Sequence, residues 1–69
     1  MRNGTKLRQV LSLCDIHLTM DDDGKMILTT ISRSGNGKRR KEGGTFSSVL
    51  DKAYRQMLKD LKEDAQGDD

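Results

Sequence analysis

The chain has 69 residues, a formal net charge of +2, and more charged residues (35%) than hydrophobic ones (32%). That length holds one small domain, residues 1–69, with a thin core, and the single cysteine, Cys14, excludes an intramolecular disulfide. No run approaches the roughly 20 apolar residues of a membrane span, and no apolar stretch of signal-peptide type follows Met1-Arg2-Asn3-Gly4; no membrane partner is expected, and with a lone thiol the cytoplasm is the expected compartment.

Leu7, Val10, Leu11 and Cys14 recur at helical spacing within residues 5–14, which predicts a short N-terminal helix with Thr5 as its candidate cap. The residues after Leu11 also permit an extended start. Residues 15–33 read as a β-hairpin. Ile16, Leu18 and Met20 share one face of the first strand, His17 and Thr19 the other. Asp21-Asp22-Asp23-Gly24 is a turn signal, because glycine accepts positive φ and aspartate bonds its own backbone. In the return strand, residues 25–32, Met26 and Leu28 oppose Ile27 and Ile31, a conflict that a bulge would resolve.

Residues 34–44 are basic and glycine-rich. They form a loop, or a loop enclosing a third, edge strand over Lys38–Glu42, where charge deters further pairing. From 46 to 64 the positions Phe46, Val49, Leu50, Ala53, Tyr54, Met57, Leu58 and Leu61 form one apolar stripe on a long helix. Thr45, Ser47 or Ser48 would cap it, Ser48 with Asp51 having the shape of a capping pair. Asp51–Arg55 and Lys59–Glu63 are favourable pairs at i, i+4. Residues 65–69 form an acidic tail, expected to be disordered. The fold class is α+β: a short helix, an antiparallel hairpin with or without a third edge strand, and a long amphipathic helix packed on the sheet.

Residues 1–45 carry a net charge of +4 and residues 46–69 a net charge of −2. The positive charge is concentrated in Arg33, Lys38, Arg39, Arg40 and Lys41. Lysine and arginine neutralise phosphates, and neighbouring glycines let backbone N–H groups approach them. All five could share one surface. If Lys38–Lys41 is extended, however, Lys38 and Arg40 point one way and Arg39 and Lys41 the other. The segment is not a P-loop, because Gly35-Asn36-Gly37-Lys38 lacks the required spacing and residue 39 is arginine.

The order of hairpin, basic segment and helix resembles two known families. Gly37-Lys38-Arg39-Arg40-Lys41, followed by Gly44-Thr45-Phe46 and a helix, resembles the last strand and turn of the arm-type DNA-binding domain of phage integrases, which implies a three-stranded sheet with a helix. The double-stranded RNA-binding domain also follows its sheet with a helix that begins near lysines. Here the basic residues precede the cap, position 51 is Asp, and the first helical turn has no Lys or Arg.

Other chemistry is weakly signalled. The acidic turn departs from the EF-hand spacing and has no bidentate glutamate. Cys14 and His17 have a Cys-x-x-His spacing but no second pair to complete a zinc site. Neither a catalytic carboxylate pair nor a water-excluding pocket is expected, so no enzyme activity and no cofactor are expected.

Two functions remain. The first is a non-enzymatic nucleic-acid-binding accessory protein that contacts duplex phosphates, duplex DNA above all, because stacking aromatics are nearly absent. The second is a protein–protein modulator, a small inhibitor or adaptor, that docks through the hairpin edge or the surplus of the helix stripe: Tyr54, Met57, Leu58 and Leu61. A thin core also makes a homodimer the expected state.

Overall fold

The computed structural model describes residues 2–33 and 37–66, with side chains through 63. Its order is α1 (Asn3–Leu13), β1 (Cys14–Met20), β2 (Met26–Ser32), β3 (Lys38–Gly43) and α2 (Phe46–Gln66). The three strands form one antiparallel sheet in the order β1-β2-β3, with both helices on one face. The fold is α+β, and the third strand is formed. Gly35 and Asn36 of the basic run, and tail residues 67–69, lie outside the described residues.

The helix-facing side of the sheet carries Ile16 from β1, Met26, Leu28 and Thr30 from β2, and Arg39, Lys41 and Gly43 from β3. Leu28 is the only sheet side chain fully removed from solvent, against Val49, Leu50 and Ala53 of α2. Val10 is the buried anchor of α1. Pairing is continuous from Cys14↔Ser32 to Met20↔Met26, so no bulge reconciles the two faces of β2. The even positions face the core, while Ile27 and Ile31 lie on the open side, Ile31 exposed. The period-2 geometry of the strand leaves no other outcome once Leu28 is core.

The Asp-rich turn is built by its first residue. Asp21 Oδ1 accepts the N–H groups of Asp23 (3.0 Å) and Lys25 (2.8 Å), and Gly24 takes φ +83°. Thr45 Oγ1 accepts the Ser48 N–H at 3.1 Å, which makes Thr45 the cap of α2. Asp51 is therefore not half of a capping pair with Ser48. It pairs instead with Arg55 (3.0 Å) and Lys6 (2.8 Å). At α1 the cap position is Arg2, which makes no side-chain cap bond, and Thr5 lies one turn inside. The helix starts earlier than its apolar spacing marks because Arg2 O accepts the N–H groups of Thr5 and Lys6. α2 continues to Gln66, two residues beyond the expected 64, which leaves 65 and 66 helical.

Among the described residues no helix is long and apolar enough to cross a membrane.

Candidate nucleic-acid interface

Sheet register divides the basic segment. In an antiparallel sheet, residues directly opposite one another project to the same side. The rows Asp15–Ile31–Lys38, His17–Thr29–Arg40 and Thr19–Ile27–Glu42 therefore form the side that neither helix covers. Arg39 and Lys41 lie on the helix side.

Each arginine and lysine of β3 then has a distinct environment. Arg39 reaches across to α2 and holds Asp60, Nη2 to Oδ1 at 3.1 Å and Nε to Oδ2 at 3.4 Å. Lys41 Nζ donates to Gln56 Oε1 at 3.1 Å, and Gln56 in turn donates to Asp60 Oδ1 at 2.9 Å. These two cations fasten the edge strand to α2. Arg40, on the open side, pairs with Glu42 at 2.9 Å with 60% of its side chain exposed. Arg33 pairs with Asp15 at 3.1 Å, also at the surface. Lys38 is exposed and has no ion-pair partner among the described residues. The five candidate cations thus do not share one surface: Lys38 and Arg40 lie on the open side, Arg33 stands at the end of the sheet where it pairs with Asp15, and Arg39 and Lys41 do not join them.

A second group of cations carries no signal as a run in the sequence. Lys52, Arg55 and Lys59 of α2 meet Lys41 of β3 around a shallow depression of about 290 Å³ on the β3 flank. Their spacing by three and four places them on one helical face. The acidic balance of the C-terminal half conceals them. Lys52 Nζ donates to the Glu42 carbonyl at 2.7 Å, so this flank too is tied to β3.

The helix stripe is only partly surplus. Met57 is buried within the chain, and Tyr54 is half-buried under α1, with Lys6 Nζ 5.9 Å from its ring centre. Asn3 Nδ2 donates to Ser47 Oγ at 2.6 Å, so α1 covers the Ser47–Asp51–Tyr54 side of α2. Leu58 and Leu61 remain exposed. Leu61 lies across from Leu13 on a cleft of about 440 Å³ between the end of α1, the end of the sheet and α2; Cys14, Arg39 and Asp60 also line it.

Cys14 and His17 project to opposite sides of β1 and cannot share a metal ion. Burial pushes the Cys14 thiol up, the opposite of what a nucleophilic cysteine needs. No group of three or more His, Cys, Asp or Glu side chains among the described residues is arranged to hold a metal ion. No protein-family model matches this chain, and neither does any curated protein or solved structure.

Proposed function

We propose that the protein is a non-enzymatic accessory that binds duplex DNA through the open side of its sheet. The observation that carries this reading is that both helices pack on one face and leave the other bare, with Lys38 and Arg40 on it and Arg33 at its end. Lysine and arginine on an uncovered sheet face can contact duplex phosphates while neighbouring polar side chains reach toward a groove. Sheet side chains reach base edges in that way in known β readers. On this reading Arg33, Lys38 and Arg40 neutralise phosphates, while His17, Thr19 and Thr29 offer polar groups to the groove. Arg39 and Lys41 act indirectly, by holding β3 flat against α2.

The two aromatic residues favour duplex over single strands. Phe46 packs against the core and Tyr54 lies beside α1, so the open side has no stacking platform. The deep, narrow major groove of duplex RNA does not admit a sheet face. The resemblance to the integrase arm-type domain points the same way, since it implies a three-stranded sheet with a helix.

Fluorescence anisotropy with labelled duplex DNA, single-stranded DNA and duplex RNA, at about 50 and 200 mM salt, tests the reading. Duplex DNA binding that falls steeply with salt is expected. No binding at the lower salt overturns it.

Exposed Leu58 and Leu61, with the cleft beside Leu61, favour a second reading, a modulator that docks a protein partner. Its affinity would fall in Leu61→Glu and survive Arg40→Ala, the reverse of the DNA-binding pattern. Both readings take the protein as cytoplasmic and dimeric.

A further inference from the structure

The two edges of the sheet are finished differently. In β3 every residue from Lys38 to Glu42 is charged, which deters another strand from pairing there. β1 reads Cys-Asp-Ile-His-Leu-Thr-Met, with one carboxylate, no lysine, arginine or proline, and no bulge. Exposed apolar side chains gather on this same side. Leu18 and Met20 are 45% and 60% exposed within the strand, and Leu11 and Leu13 are exposed at the end of α1 that leads into it.

The direction of the edge hydrogen-bonding groups follows from two bonds. The Arg33 N–H donates to the Leu13 carbonyl, and the Asp21 N–H donates to the Lys25 carbonyl. Odd-numbered residues of β1 therefore bond inward to β2. Ile16, Leu18 and Met20 turn their N–H and C=O groups outward. The Cys14 N–H is held by the Val10 carbonyl, while its own carbonyl faces the edge.

We propose that β1 pairs antiparallel with β1 of a second copy of this chain, the two-fold axis passing beside His17, to give a continuous six-stranded sheet. β1 has seven residues and His17 is its midpoint, so full overlap sets His17 against His17, Ile16 against Leu18, Asp15 against Thr19 and Cys14 against Met20. Ile16 and Leu18 then exchange backbone hydrogen bonds in both directions. Their side chains meet on the helix side, where Leu18 is now exposed. Met20 comes beside the end of α1 of the second copy, with its exposed Leu11 and Leu13.

Charge favours an antiparallel arrangement. Strand β1 ends in the acidic Asp21–Asp23 turn, whereas at its start Arg33 pairs with Asp15. Antiparallel pairing keeps the acidic turns of the two copies at opposite ends. Moving the axis one residue, to Leu18, would set Asp15 against Asp21, and like charges directly opposite repel. The dimer does not depend on DNA binding and is tested without it.

The test uses the full chain with Cys14→Ser. Residues facing each other across the axis have Cα atoms about 4.5 Å apart, within disulfide reach. His17→Cys should therefore oxidise to a covalent dimer. Thr19→Cys should not, because the two copies of that residue would lie about 14 Å apart. Sedimentation of the wild-type chain should give twice 7.8 kDa, and Leu18→Lys should shift it to the monomer with its circular dichroism retained. A monomer at every concentration overturns the proposal, as does equal cross-linking of both cysteine variants. So does a dimer that survives Leu18→Lys and is lost in Leu61→Lys. If Leu18→Lys unfolds, the cysteine pair decides.

Discussion

At the level of single residues, several polar side-chain contacts fasten one element to another. Asp51 joins α1 to α2 through Lys6, and that hydrogen bond is the main reason its carboxyl titrates below its usual range, with Arg55 adding to the effect. A depressed folded-state pKa stabilises above the unfolded value, and the contribution is lost as pH falls through the depressed one. Asp51→Asn should therefore melt below the wild type at neutral pH, and the gap should close in acid; thermal melts across a pH series measure it. Thr45→Ala removes the cap of α2 and should cost about 1 kcal/mol in urea unfolding. Gly43→Ala should also lower the urea midpoint. Its new Cβ would come within 3.1 Å of Ser48 Oγ and the Val49 nitrogen, so β3 and the first turn of α2 would have to move apart by a few tenths of an ångström.

At the level of elements, β3 has two roles set by alternation. Its helix side holds the strand in place and its open side meets solvent. Lys38→Ala and Arg40→Ala should each weaken duplex DNA binding and lower the salt slope by about 1. Arg39→Ala should chiefly lower the urea midpoint, since it frees Asp60 and loosens β3 from α2. Equal salt slopes for all four single variants, Lys41→Ala included, would contradict this division. The basic segment is legible in the sequence as a charge run, and so is the alternation of its side chains. Which pair faces the helices is not, because that depends on the register of β3 against β2. Likewise Ile27 and Ile31 read as core candidates from hydrophobicity alone, yet only one face of β2 has helices to pack against. The α2 cations Lys52, Arg55 and Lys59 share a helical face in the sequence, but their meeting with Lys41 exists only once β3 lies beside the helix.

For the whole molecule the controlling fact is a small core. A chain of 69 residues is stable by about 3–10 kcal/mol. Leu28→Ala, which deletes the one fully buried sheet side chain, should cost about 2–5 kcal/mol and bring the chain close to unfolding at room temperature. Circular dichroism with urea titration measures this directly. A core that thin leaves Leu18, Met20 and Leu61 exposed, so the proposed edge-paired dimer would change the balance for the entire fold and not just for one strand.

The features legible from the residues alone are those made by local chemistry. The Asp-rich turn, the strand alternation and the apolar stripe of α2 each arise from neighbours within a few residues, where backbone geometry acts directly. The strand edges, the partition of the five cations, and the covering of Tyr54 and Met57 arise from groups far apart in the chain. A residue's side of the sheet is fixed by which strand pairs with it and by which face the helices occupy. Only the assembled packing of α1 and α2 on one face determined that Lys38 and Arg40 look outward while Arg39 and Lys41 hold the fold together.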